Sequence, residues 1–165
     1  MCIKIRKNKV FELSKLEISK ILKKKKCYVN SQAACIEALK IVQEHRKWIC
    51  KDSIIAISKI LSIPACEVES IATFYCHIFR KPVGRNIIRY CDSVVCFINN
   101  FKSIKKKLKY ILNISPGETT SDCRYTLLPT CCLGACDKGP VMLVNKTLYT
   151  RLTSKMLINI LDKYK

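Results

Sequence analysis

Along the first eighty residues, apolar positions recur every three or four residues. Leu13, Leu16, Ile21 and Leu22 precede the run Lys23 to Lys26, whose cations suit a helix C-terminus, so a first helix is predicted there. Ser31, an N-cap residue type, opens a second helix with Ile36, Leu39 and Val42 on one face and Glu37, Lys40 and Glu44 elsewhere. Asp52 or Ser53 caps a third carrying Ile54, Ile57, Ile60 and Leu61, and Pro64 starts a fourth with Val68, Ile71 and Tyr75 facing inward. Residues 1–80 are therefore expected to form a helical bundle.

The pattern changes after Phe79. Pro82 and Gly84 make a connection, and Asn86 to Tyr90 is β-rich and ends at Cys91. A helix is predicted over about Phe97 to Leu112, with a stripe at Phe97, Phe101, Ile104, Leu108 and Ile111. After the turn at Pro116 and Gly117, Arg124 to Leu128 reads as a strand. Val141 to Val144 and Thr147 to Thr150 read as a hairpin around Asn145 and Lys146, and Thr153 caps a final helix with Leu157, Ile160, Leu161 and Tyr164. The order β-α-β-β-β-α describes a small thioredoxin-like mixed sheet over residues 81–165. The whole is an α+β chain with a boundary near residues 80 to 85.

Charge adds a second possibility. With 31 Lys and Arg against 12 Asp and Glu, the net charge is +19, a balance that points toward nucleic acid. It is nevertheless spread evenly, since residues 1–80 carry 16 basic and 7 acidic side chains and residues 81–165 carry 15 and 5. Most of it is lysine in a chain of 24 Lys, 22 Ile and only 7 Arg, which is the bias of an AT-rich genome. Lys105, Lys106 and Lys107 lie in the predicted amphipathic helix, where solvated surface accounts for them, and aromatics are not interleaved with the cations. No nucleic-acid partner is expected.

The four glycines, Gly84, Gly117, Gly134 and Gly139, are too scattered to build a G-x-G-x-x-G or a P-loop. This chain therefore lacks the usual nucleotide cradles. The first ten residues are basic without a following apolar core, and no uncharged stretch is long enough to span a bilayer, so neither a signal peptide nor membrane insertion is expected.

Cysteine is the remaining anomaly, with 12 residues. In a reducing cytoplasm such clustering indicates metal ligands or redox groups rather than disulfides. Cys91 and Cys96 form a C-x4-C where the first strand meets the helix, and Cys132 and Cys136 form a C-x3-C in the loop from Pro129 to Pro140. Iron–sulfur clusters need thiolates converging from loops, with backbone N–H groups aimed at the sulfurs. Gly134 and Gly139 can take φ > 0 and admit close approach, Pro129 and Pro140 stiffen the loop, and a helix starting near Cys96 would turn its positive end to an anionic cluster. Four thiolates in two pairs suit [2Fe–2S]. Structural zinc prefers C-x2-C knuckles and a thiol–disulfide enzyme needs the same separation, which occurs nowhere here, although four thiolates could hold Zn²⁺ tetrahedrally and a zinc-binding module stays the alternative. Cys131 and Cys132, as neighbours in an extended loop, point opposite ways, so Cys131 is expected to pack. Cys2, Cys27, Cys35, Cys50, Cys66, Cys76 and Cys123 follow no paired spacing and are expected to behave as small apolar residues.

Cys91-x4-Cys96, Cys132-Leu133-Gly134-Ala135-Cys136 and Gly139-Pro140 together resemble the thioredoxin-like [2Fe–2S] subunit family of the NADH dehydrogenase module of respiratory complex I, NADH:quinone oxidoreductase. Ala72-Thr73-Phe74-Tyr75 with Phe79, Pro82-Val83-Gly84-Arg85, and Ile36-Glu37-Ala38-Leu39 with Gln43 and Trp48 are similar to that family's helical region. Lys47 stands where the family commonly has glycine. The resemblance implies that Cys91, Cys96, Cys132 and Cys136 are the ligands, and that the cluster exchanges one electron with FMN on a flavin- and NADH-binding partner subunit. It also implies other peripheral-arm partners and a place on the cytoplasmic face of the inner membrane. The chain would then be part of an oxidoreductase without a complete active site of its own. Related subunits of NAD-linked formate dehydrogenases and hydrogenases are the alternative it leaves open.

No catalytic residue is expected. His45 and His77 are far from the cysteine loops, and Asp92 and Asp137 beside those loops are read as cap or turn residues.

Overall fold

A computed structural model describes residues 12–164, which fall into two compact units dividing between Pro82 and Val83. Each is built around its own core.

The helical unit comprises α1 (Lys15–Lys25), α2 (Cys35–Arg46), α3 (Lys51–Leu61) and α4 (Ala65–Phe74). Ser14 opens α1 with a reciprocal capping box, its hydroxyl accepting from the Glu17 N–H while the Glu17 carboxylate accepts from the Ser14 N–H. The core is Ile21, Leu39, Val42, Ile49, Ile54, Ile57, Leu61, Val68 and Ala72. Several expected positions differ. Leu16, Leu22 and Tyr75 face solvent, and the buried positions are Glu17 and Ile21 of α1 with Leu13 just before its N-cap. The second helix starts at Cys35 because residues 31–34 form turns, and the cap of α3 is Cys50, whose sulfur accepts from the Ser53 N–H.

Glu17 is a carboxylate with only 1% of its surface exposed. It is tolerated because Arg46 forks onto it, Nε to Oε1 at 2.9 Å and Nη2 to Oε2 at 2.8 Å. That hydrogen-bonded guanidinium, acting against burial, holds the carboxyl down at about 2. Arg80 donates through Nη2 to both oxygens of Glu69 and through Nη1 to the Ile49 carbonyl. Gln43 clamps the segment after α4, donating to the His77 carbonyl at 2.8 Å and accepting from the Phe79 N–H at 2.6 Å.

The second unit is a four-stranded sheet in the order β2-β1-β3-β4, built from β1 (Asn86–Cys91), β2 (Tyr125–Thr130), β3 (Met142–Val144) and β4 (Thr147–Tyr149). The β1–β2 pair is parallel and the other two pairs are antiparallel. Between β1 and β2 run α5 (Val94–Ile98) and α6 (Phe101–Leu112), a short 3-10 turn covers Cys136–Lys138, and α7 (Met156–Asp162) closes the chain. Tyr125, Leu127, Ile88, Tyr90, Val144 and Met142 share one face by register, and all are buried. Phe101, Ile104 and Leu108 of α6 and Leu157, Ile160 and Leu161 of α7 complete this core. The Tyr90 and Phe101 rings stack 5.3 Å apart, and the Tyr125 hydroxyl donates to the Leu161 carbonyl at 2.7 Å.

The element order is the expected one, but the single helix over Phe97 to Leu112 is broken. Asn100 sits at φ 59°, a left-handed conformation that asparagine tolerates. The Asn99 side chain donates to the Val95 carbonyl and ends α5, which leaves Phe97 outside the stripe and exposed. The final helix is capped at Lys155 rather than Thr153. Gly84 has a steric role, because a Cβ there would lie 2.9 Å from backbone atoms of Tyr125. Cys123 is disulfide-bonded, contrary to its expected packing role; Cys2 lies outside the described residues.

Lys47 ends α2 at φ 72°, the conformation that favours glycine, with its N–H on the Gln43 carbonyl at 2.7 Å. Lys47→Gly is expected to stabilise the protein by about 1 kcal/mol in denaturant unfolding. Glu17 predicts an acid limb. Its folded-state pKa lies below the ordinary value, so its contribution is complete above about pH 4.5 and is lost as pH falls toward about 2. Glu17→Gln is expected to cost about 3 kcal/mol at neutral pH, a difference from the native chain that closes by about pH 2 in unfolding titrations.

Candidate metal centre

The parallel strands end where the cysteines begin. Cys91 closes β1 and pairs in register with Thr130, the last residue of β2, after which come Cys131 and Cys132. The Asp92 N–H extends that ladder to the Thr130 carbonyl at 2.8 Å. Two adjacent parallel strands thus release both cysteine loops at their C-terminal ends, the edge where open α/β sheets receive ligands.

On the first loop, Cys91 and Cys96 are both buried. Cys96 is the one buried residue of the five-residue α5, so it sits within a short turn of helix rather than at the start of a long one. Burial works against the Cys91 thiolate, but donors outweigh it and pull its pKa below the ordinary thiol value: the Ser93 hydroxyl 3.1 Å away, the Ser93 N–H, the Cys96 thiol and the Leu133 N–H. Cys96 moves upward, chiefly through burial and the neighbouring Cys91, although the Val141 N–H works the other way.

On the second loop, Cys132 and Cys136 are exposed, with sulfurs 3.7 Å apart. Two thiolates on one tetrahedral metal with bonds of about 2.3 Å lie about 3.8 Å apart, so this pair already has the spacing of ligands to one ion. Gly134, at φ 79°, aims its N–H at the Cys132 sulfur from 3.3 Å. The Cys136 thiol is pushed up by its hydrogen bond to Cys132, with a smaller effect from the nearby Cys91 charge. Gly139 does not take the expected positive φ; it sits at −61°. Its lack of a side chain matters for space, since a Cβ would stand 3.2 Å from the Asn99 side chain and 3.7 Å from the Cys96 sulfur.

All four cysteines therefore meet at one end of the sheet. Among the described residues, no three His, Cys, Asp or Glu side chains gather as a ready single-ion site. The arrangement is two thiol pairs, one sealed and one open to solvent, with the Gly134 N–H 3.3 Å from the Cys132 sulfur and the Leu133 and Val141 amides favouring the Cys91 and Cys96 thiolates. That donor set fits a binuclear cluster, which takes one pair per metal and is stabilised by N–H···S bonds. Cys131 does not pack as expected but is exposed, and its carbonyl lies 3.8 Å from the Cys91 sulfur. The sequence did not single out Leu133 and Val141, because main-chain donors leave no trace in residue type.

The thioredoxin-like [2Fe-2S] ferredoxin family matches residues 18–165. The E subunit of NADH-quinone oxidoreductase from Buchnera aphidicola subsp. Acyrthosiphon pisum is 53% identical over 155 residues, 94% of this chain and 96% of that protein. Its counterpart in Salmonella typhimurium is 52% identical over 155 residues, 94% and 93% of the two chains. Among solved structures, an NAD+-reducing [NiFe]-hydrogenase in the air-oxidized state superposes with a TM-score of 0.64 at 26% identity, covering 81% of this chain but 22% of that one. Fold, cysteine spacing and near full-length similarity agree, and the chain belongs to the thioredoxin-like [2Fe-2S] ferredoxin family.

Proposed function

We propose that Cys91, Cys96, Cys132 and Cys136 hold the [2Fe–2S] cluster, in a domain of residues 81–165 that follows a helical region of residues 1–80. The observation that carries this is the meeting of the two cysteine pairs at the ends of β1 and β2, the Cys132 and Cys136 sulfurs 3.7 Å apart and the Gly134 N–H aimed at the Cys132 sulfur. When bound, such a cluster supplies a one-electron donor and acceptor. The chain's own part is to keep Cys91 inclined to its thiolate, to offset sulfur charge with the Leu133, Gly134 and Val141 amides, and to shield one pair from water. No side chain here is assigned a catalytic role.

The chain is an electron-transfer subunit of an NADH-quinone oxidoreductase, as its relatives' names and family indicate. In our reading its electron is exchanged with FMN on a flavin- and NADH-binding partner subunit, which explains a redox centre on a chain whose four glycines build no nucleotide cradle. We place it with other peripheral-arm subunits on the cytoplasmic face of the inner membrane; no described helix is long and apolar enough to cross a membrane. The hydrogenase likeness supports the alternative of a related NAD-linked complex, but at 26% identity against 53% it is the weaker of the two.

Anaerobic reconstitution is expected to load about two iron and two sulfide per chain and to give the EPR signal of a one-electron-reduced cluster. Zinc without labile sulfide would contradict the assignment. In the same assay Cys132→Ser should abolish or severely perturb the cluster, whereas Cys131→Ser should leave it assembled; equal loss in both variants would reverse the register of the second loop.

A further inference from the structure

Ser93 stands where α5 begins and two residues after the proposed ligand Cys91. Its backbone is extended, at φ −90° and ψ 161°, and the Asp92 N–H bonds the Thr130 carbonyl, so the strand direction runs on past Cys91. Side chains two residues apart on an extended chain share a face. Ser93 accordingly meets Cys91, hydroxyl to sulfur at 3.1 Å, while Asp92 between them turns to Lys105 at 3.2 Å.

A serine in this position ordinarily caps the helix it precedes. The chain shows that use at Ser14, whose hydroxyl accepts from the Glu17 N–H at 3.2 Å. Ser93 is likewise an N-cap residue, yet its side chain makes no capping bond to α5. The hydroxyl is committed to sulfur instead. Among the described residues it is the one side chain, the cysteines themselves aside, that hydrogen-bonds any of the four sulfurs.

The direction of this bond follows from chemistry. A thiolate that ligates a metal carries no proton, so with Cys91 as ligand only the hydroxyl can donate. Cys91 is 1% exposed and Ser93 is half-buried, which limits competition from water and strengthens the bond. A donor on a ligand sulfur favours the redox state with one more negative charge.

We propose that Ser93 is a positioning residue for the electron-transfer step, its hydroxyl holding an O–H on the Cys91 sulfur and thereby raising the reduction potential of the cluster. The proposal rests on the reading of Cys91 as a ligand. Reduction adds one electron and moves no proton. The Ser93 O–H bond stays intact, and its hydrogen bond strengthens as the sulfur gains charge.

The test uses the full chain reconstituted with iron and sulfide and titrated potentiometrically with EPR detection. Ser93→Ala removes the hydroxyl and leaves every backbone amide in place. It is expected to keep about two iron and two sulfide per chain and to become about tenfold harder to reduce, a fall of about 59 mV for a one-electron couple. Ser93→Gly caps a helix nearly as well as serine and is expected to show the same fall, which separates the hydroxyl from the cap. Ser93→Thr keeps the hydroxyl and is expected to restore the native potential. On brief transfer to D2O, the reduced native chain should lose one proton coupling to the cluster, because a hydroxyl exchanges faster than backbone amides. No fast-exchanging coupling in the native chain overturns the proposal whether or not the variants load. Full loading with unchanged potential in Ser93→Ala and Ser93→Gly overturns it too and leaves the ligand assignment standing, and a fall shared equally by Ser93→Thr assigns the effect to packing and overturns it as well. A native chain that binds zinc without labile sulfide overturns both readings.

Discussion

Six residue pairs of parallel β-ladder, from Asn86 with Tyr125 to Cys91 with Thr130, determine what the rest of this chain can do. A parallel pair cannot be closed by a tight turn, so the chain must leave β1, cross over through α5 and α6, and return to start β2 at the same end. Both strands then finish side by side. Because each is followed at once by cysteines, two segments some forty residues apart deliver their thiols to one place. An antiparallel pairing of the same two strands would send the loops to opposite ends of the sheet.

The surrounding structure serves that meeting point. Tyr90 and Phe101 stack beneath the end of β1, which anchors α6 against the strand that carries Cys91. The break at Asn99 and Asn100 lets α5 stand apart from α6, so Cys96 can turn inward while Phe97 turns out. Gly139 leaves room beside the Cys96 sulfur, and Gly84 lets the incoming chain press onto the start of β2. The sealed pair and the open pair meet different dielectric surroundings, a difference that tunes a cluster's potential.

Much of this was legible in the residues themselves. The 3.6-residue periodicity of the first eighty residues and the strand-rich pattern after Asn86 come from local burial preferences, which act over a few residues and leave a trace in any window of sequence. The four cysteines stood out by spacing. What failed was the detail that depends on competition between distant groups. Leu16 and Leu22 have the composition of core residues, but Glu17 took the inward position because Arg46, twenty-nine residues on, satisfies both its oxygens. Lys47 in a left-handed cap runs against the simplest propensity, and Asn100 takes a conformation that asparagine tolerates but does not demand, so only the path of the chain before and after them requires both.

By itself the sequence determined the kinds of element, their order and the donor chemistry, because periodicity, residue type and the spacing C-x4-C and C-x3-C are properties of a line. Tertiary structure decided which cysteine pair is buried and which is open, that the Gly134 N–H stands 3.3 Å from the Cys132 sulfur, and that Glu17 is buried while Leu16 and Leu22 face solvent. The physical reason is the same in each case. Burial, hydrogen bonding and charge balance are settled by what stands opposite a residue in space, and strand pairing and the crossover bring those neighbours together from distant parts of the chain.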